Sequence, residues 1–263
     1  MDTIYQALAE IERSNGSAVL CTITKSEGST PRHQGSKMLV YPDGRIIGTV
    51  GGGELENRVR DEAKLALNDG RSRLLHYNMS DPSTGDPGVC GGQVEVFVEP
   101  IIPPITLLII GGGHVGKAVT HLAKWLGFHV ALSDDRPEFC NKEYLPDADS
   151  FYICPMMELP QHLNIDRYTY IVLTTRGSSV DVDGLPTLLD TKAGYIGVIG
   201  SKRRWATTVR ELISHGVLPE KIAQIHSPIG LELRAETPNE IAVSILAEIL
   251  MIREKASGKQ MKS

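Results

Sequence analysis

Apolar positions at Ile4, Leu8 and Ile11 share one face of a helix predicted from Asp2 to Ser14, closed by Asn15-Gly16. The period then changes. SAVLCTITK (17–25), KMLVY (37–41) and RIIGTV (45–50) are β-branched and apolar and predict strands, with Pro42-Asp43-Gly44 as a turn. Leu55, Val59, Ala63 and Ala66 return to helical spacing, and Gly70 stops that helix. RLLHYN (73–78) and QVEVFVEP (93–100) predict two further strands, separated by a polar loop from Ser80 to Gly92. Pro100, Pro103 and Pro104 form a stiff junction, so a boundary is expected there, with one domain over 1–100 and a second over 105–255.

Beyond the junction the pattern is strand and helix in alternation. ITLLII, FHVALS, FYIC, YTYIVLTT and YIGVIG are continuous apolar runs, with helices predicted at about 115–126, through Leu185 to Leu189, and at 238–255. Unbroken apolar strands between helices indicate a parallel sheet covered on both faces. The expected fold class is α/β: an N-terminal α/β domain followed by a Rossmann-like parallel-sheet domain.

Of the 263 residues, 41% are hydrophobic and 22% charged, which is ordinary globular composition. Lys and Arg total 27 against 32 Asp and Glu, so no global positive field suggests nucleic acid as a partner. The start MDTIYQALAEIERSNG has acidic residues and no continuous apolar core, and no later stretch is long enough to cross a bilayer. A cytoplasmic location without membrane association is expected. Four scattered cysteines, Cys21, Cys90, Cys140 and Cys154, suit neither a disulfide framework nor zinc-finger spacing. Cys21 and Cys154 read as buried small hydrophobes, whereas Cys90, in a loop and followed by Gly91 and Gly92, should be approachable. An accessible thiol is a nucleophile, a soft metal ligand or a persulfide carrier where its surroundings favour thiolate, and otherwise an inert loop cysteine.

The 26 glycines are the mild excess in the composition, and their positions carry the chemistry. In LLIIGGGHVGKAV, Gly111, Gly113 and Gly116 satisfy G-x-G-x-x-G between a strand and a helix. Asp134 and Asp135 follow the next strand, where a carboxylate accepts ribose hydroxyls, and His114 and Lys117 favour an anion. Arg136 leaves NAD against NADP open. Thr174-Thr175-Arg176-Gly177 and Gly200-Ser201-Lys202-Arg203-Arg204 also fall at strand ends. A hydroxyl and three cations at a helix start suit a phosphate, or form an ordinary solvated basic surface. Three backbone-rich elements of the first domain, Gly28-Ser29-Thr30-Pro31-Arg32, Gly51-Gly52-Gly53-Glu54 and Cys90-Gly91-Gly92, are either anion-accepting nests or tight turns that need positive φ.

Together GSTPR (28–32), GTVGGGELE (48–56), VCGGQVEVFVEP (89–100), IIGGGHVG, DDRPEF (134–139), TTRG (174–177), YIGVIGSKRR (195–204) and PIGLELRAETPNEIAVSILAEI (228–249) resemble the XdhC/CoxI family over nearly the whole chain. The closing segments look most like the subgroup associated with selenium-dependent molybdenum hydroxylases. Two positions depart from that pattern: Ser178 stands where a histidine commonly follows TRG, and Arg234 where glycine is common.

The resemblance implies an accessory factor, a carrier more than a catalyst. Such a factor binds molybdenum cofactor, shields it while a cysteine desulfurase supplies a terminal sulfido ligand, and delivers it to an apo hydroxylase of xanthine dehydrogenase type. It implies Cys90 near the molybdenum or its sulfur, with Ser29, Thr30, Arg32, Gly51, Gly52, Gly53, Glu54, Gly91 and Gly92 lining the cofactor in a cleft between the domains. A homodimer is the expected assembly. Gly111, Gly113, His114, Gly116, Asp134, Arg176, Ser201 and Arg203 are the residues expected around NAD(P) or another nucleotide. The competing readings are an NAD(P)-dependent oxidoreductase and a nucleotide-binding sensor or scaffold without catalysis.

Overall fold

The structure, a computed structural model, describes residues 3–79 and 91–261. It divides into two compact units, Met1–Pro103 and Pro104–Ser263. No helix among the described residues is long and apolar enough to cross a membrane.

Among the described residues, unit 1 is one antiparallel sheet with two α-helices. Its elements are α1 (Ile4–Arg13), β1 (Ala18–Glu27), β2 (Lys37–Val40), β3 (Ile46–Gly48), α2 (Gly53–Asp69), β4 (Arg73–Asn78) and β5 (Gln93–Ile101), and the sheet order is β3-β2-β1-β5-β4. Thr3 and Gln6 close α1 with a capping box, and Gly70 ends α2 in the left-handed conformation at φ 70°. The central pairing is long-range: Val19 lies opposite Pro100, Cys21 opposite Val98 and Ile23 opposite Val96. Alternate residues of that pair, Val19, Cys21, Ile23, Val94, Val96 and Val98, join Leu55, Val59, Ala63 and Ala66 of α2 in one core. Ala18 and Leu39 pack with Ala7 and Ile11 of α1 in a second cluster. This is why β1 and β5 read as strands of alternating burial.

Unit 2 contains β6 (Thr106–Ile110), α3 (His114–Trp125), β7 (His129–Ser133), β8 (Ser150–Tyr152), α4 (Leu159–His162), β9 (Thr169–Leu173), α5 (Ser178–Leu189), β10 (Tyr195–Val198), α6 (Lys202–Ser214), α7 (Pro219–Ile222) and α8 (Pro238–Arg253). Its sheet is wholly parallel, in the order β10-β9-β6-β7-β8. Leu107 and Ile109 of β6 pack with Val119, Ala123, Ile245 and Ile249 of α3 and α8. Leu108 and Ile110 point to the other face, toward Leu185, Leu188 and Leu212 of α5 and α6. Coverage on both faces explains the unbroken apolar run of β6. Glu248 falls on the apolar stripe of α8, yet its carboxylate accepts from Tyr195 Oη at 2.6 Å and from the Gly230 amide at 2.9 Å, so its burial is matched by hydrogen bonds.

The strand order reverses at β6. Chain leaving β6 runs through α3 to β7 on one side, and the later strand β9 adds on the other, so the carboxyl ends of β6, β7 and β9 border a topological switch point.

Candidate functional site

In unit 1 the three glycine elements meet. A Cβ on Gly92 would stand 2.4 Å from the Ser29 carbonyl oxygen and 2.7 Å from Thr30 Cγ2, and one on Gly51 would stand 2.6 Å from Pro31 Cγ. Loop 28–32 therefore packs against both other elements, and only glycine permits that approach. The Thr30 hydroxyl donates to the Arg32 carbonyl at 2.9 Å, and the Arg32 side chain is exposed. Gly52 and Gly53 hold φ of 75° and 61° with open space where a Cβ would point, so the start of α2 offers bare backbone.

Part of that backbone is already engaged. Gly51 N–H donates to Thr49 Oγ1 at 3.1 Å and Gly52 N–H to Glu56 Oε2 at 3.3 Å, while Thr49 Oγ1 donates to Glu56 Oε2 at 2.5 Å. Thr49 and Glu56 thus brace the turn, a role the motif reading missed. Glu56 sits at the fourth position of α2, where a carboxylate reaches back to the helix start, and that spacing was the available signal. Glu54 turns outward and pairs with Arg58 at 3.3 Å. Cys90 lies outside the described residues. Its chain neighbour Gly91 is described, and its N–H bonds the Met79 carbonyl at 3.1 Å. Cys21 is fully buried, and desolvation pushes its thiol up to about 12, which keeps it an inert core group.

In unit 2 the G-x-G-x-x-G glycines divide the work that a dinucleotide turn needs. Gly111 holds φ 112° with Thr174 O 2.6 Å from its would-be Cβ, and a Cβ on Gly116 would stand 1.9 Å from Gly111 O. Gly113, at the N-cap of α3, faces open space. The first glycine makes the tight turn, the third lets helix meet strand, and the second leaves room for a diphosphate. The Thr174 hydroxyl donates to Gly111 O at 2.7 Å and ties the β9 loop to this turn. His114 is exposed, and Lys117 lies over the Tyr144 ring at 4.4 Å.

Beside the turn is a cleft of about 220 Å³ bordered by Gly111, Ser133, Asp135, Arg136, Cys154, Thr175 and Arg176 among others. Asp134, expected to accept ribose hydroxyls, is buried and already accepts four bonds. These come from Gly112 N at 2.9 Å, Arg136 N at 3.0 Å, and Arg136 Nε and Nη2 at 2.9 Å each. A carboxylate has about four acceptor positions, so this one has none left for a diol. Asp135 is exposed and bound in bidentate fashion by Arg176 at 2.8 and 2.9 Å, and those bonds hold its carboxyl below the usual carboxylate value against a smaller desolvation. Cys154 departs from the sequence reading. β8 ends at Tyr152, the chain turns at Pro155, and the thiol is half-buried at the cleft wall. Burial raises its thiol above the ordinary value.

The basic start of α6 also differs from expectation. The Ser201 hydroxyl caps the helix, accepting from Arg204 N at 3.2 Å, and Arg204 turns inward to the buried Asp181 carboxylate at 2.6 Å and to the Thr175 hydroxyl at 3.0 Å. Thr175 in turn donates to Asp181. Three cations do not face one ligand there: Arg204 braces the 174–177 loop, and Lys202 and Arg203 are exposed away from the cleft lining. Desolvation raises the Asp181 carboxyl above the ordinary value, opposed by its bonds to Thr175 and Arg204.

Residues 107–249 match the model of the XdhC Rossmann domain, and residues 11–78 match that of the XdhC and CoxI family. The chain belongs to the XdhC family. Among its relatives, the uncharacterized protein YqeB of Escherichia coli K12 is 35% identical over 98% of this chain and 48% of its own length. The chain therefore spans about half of that relative. A protein of Bacillus subtilis 168 described as a probable xanthine dehydrogenase subunit is 24% identical across 97% of this chain and 98% of its own. The molybdenum cofactor insertion chaperone PaoD of Escherichia coli K12 is 23% identical across 95% and 88%. A solved structure described as a xanthine dehydrogenase from Bacillus halodurans covers 98% of this chain and 97% of its own at TM-score 0.52 and 23% identity, and shares the fold.

Proposed function

We propose that this protein is an accessory carrier of molybdenum cofactor for a hydroxylase of xanthine dehydrogenase type. The observation that carries the reading is the convergence in unit 1 of loop 28–32, Gly51–Gly53 and Gly91–Gly92, the last pair following Cys90 in the chain. The names of two full-length relatives, a cofactor insertion chaperone and a probable xanthine dehydrogenase subunit, support it.

The residues present suit a phosphate-bearing pterin. Arg32 supplies an exposed cation, Gly52 and Gly53 give a backbone surface that a bulky ring can approach, and Ser29 and Thr30 add small hydroxyls. Cys90, next to Gly91 in the chain, would lie by the molybdenum or its sulfur and offer a soft thiolate ligand to the metal. The cofactor would bring the metal and its exchangeable terminal ligand. The chain's residues hold it, keep water away and present it to a cysteine desulfurase and then to the apo hydroxylase. Purification from molybdenum-replete cells, followed by release and fluorescence of the oxidised pterin, tests this. Bound pterin that is lost in Cys90→Ser with an unchanged unfolding midpoint supports it; full pterin retention and full hydroxylase activation by Cys90→Ser remove the thiol from the mechanism. Absence of pterin together with stoichiometric NAD(P) moves the functional centre to unit 2.

We infer separately that unit 2 binds a nucleotide, with the Gly111–Gly116 turn as its diphosphate seat. The division of roles among Gly111, Gly113 and Gly116 supports this second reading.

A further inference from the structure

We propose that the unit 2 cleft selects a nucleotide with a phosphate on the ribose, of the NADP class, over one that ends there in a free diol. The proposal rests on the reading of the Gly111–Gly116 turn as a diphosphate seat and goes beyond it to what lies at the far end of the ligand.

A vicinal diol at this position needs a carboxylate with free lone pairs. Asp134 has the right place in the chain but not the capacity, because one backbone amide of the glycine turn and three donors of Arg136 fill it. Opening that set would strand a carboxylate that is only 5% exposed. An anionic group meets the opposite situation. Arg136 is clamped through Nε and Nη2, rests on the Phe139 ring at 4.1 Å and borders the cleft, and the bonds to Asp134 leave its Nη1 as a donor that an anion can use without breaking the ion pair. Arg176 adds a second guanidinium, held in place by Asp135.

The carboxylates facing the cleft are Asp134, Asp135 and Asp183. Asp134 is filled by its arginine and the glycine turn. Asp135 gives two of its acceptor positions to Arg176 and keeps the others on a solvent-exposed carboxylate, so it is the competing acceptor for a diol. Asp183 is exposed to screening solvent. A further observation points to a ligand. Ser133, at the end of β7, is 1% exposed and borders the cleft, and among the described residues its hydroxyl meets no oxygen or nitrogen partner, only the Cys154 thiol. The Cys154 thiol is near enough to feel that hydroxyl, but a thiol is a weak acceptor. A ligand oxygen would satisfy it.

The test is calorimetric titration of the full chain with NADP+, NAD+, 2′-phospho-ADP-ribose and ADP-ribose. The phosphorylated member of each pair should bind about tenfold tighter, the size expected of one charged hydrogen-bonding contact. Arg136→Leu should abolish the difference and Arg136→Lys retain part of it; the wild-type comparison decides the matter if the leucine variant does not fold. Equal or tighter binding of NAD+ overturns the selectivity while leaving the nucleotide reading in place. No binding of any of the four overturns both.

Discussion

The three glycines at the start of α2 in unit 1, Gly51 to Gly53, all lie at positive φ, 137°, 75° and 61°, and two of them have nothing within 4 Å of a would-be Cβ. In unit 2 the pattern inverts: Gly113 has φ −65°, whereas Gly112 and Gly116 are required by contact, with Phe139 O and Gly111 O at 2.1 and 1.9 Å from their Cβ positions. The first run is glycine chiefly for conformation, with Gly51 also in close contact with Pro31, and the second chiefly for close approach. The braces differ as well. Thr49 and Glu56 hold the unit 1 turn in half-buried surroundings, and the unit 2 loops are held by buried carboxylates, Asp134 and Asp181, each against an arginine.

Removing a brace separates the two most strongly. Asp181→Ala leaves Arg204 facing a buried gap and should lower unfolding free energy by about 3 kcal/mol, against about 1 kcal/mol for Glu56→Ala; equal losses in urea titrations would erase the distinction. Gly116→Ala should cost about 2–3 kcal/mol by overpacking, while Gly113→Ala changes stability by less than about 0.5 kcal/mol and shows itself in weaker nucleotide binding. Should both alanines destabilise alike, close approach is not what separates the positions. Gly52→Ala has space but the wrong backbone, so a loss of about 1–2 kcal/mol is expected from strain alone, readable in thermal melts.

The smallest effect is electrostatic. Arg176 holds the Asp135 carboxyl below its ordinary value of 3.8, so the folded state binds this proton less tightly than the unfolded chain. Its stabilising contribution is therefore complete above the unfolded value and disappears as pH falls through the lower folded one. Arg176→Met should move the Asp135 midpoint upward in a carbon-detected carboxyl titration, and an unmoved midpoint would refute the assigned cause.

Local pattern exposed most elements because period and punctuation are local properties. Leu55, Val59, Ala63 and Ala66 form the buried face of α2 as their spacing predicts, and β6 is covered on both faces as an unbroken apolar run requires. FYIC shows where this stops. An apolar run does not reveal that the strand ends at Tyr152, because Pro155 and the packing of Met156 against Gly184 redirect the chain and turn Cys154 to the cleft. Likewise, Lys202, Arg203 and Arg204 are equivalent as a string. Only Arg204 finds a buried carboxylate, supplied by a helix 23 residues earlier.

The amino-acid sequence alone determined the XdhC resemblance, the two glycine-rich turns and the residues near them, since motif and order along the chain are enough for that. The tertiary structure decided which glycines are bound by contact and which by conformation, that loop 28–32 touches both other glycine elements of unit 1, and that Asp134 is a filled acceptor. Each of these depends on groups distant in sequence, or on one side chain folding back on its neighbour, and hydrogen-bond capacity is spent only once the chain has brought those groups together.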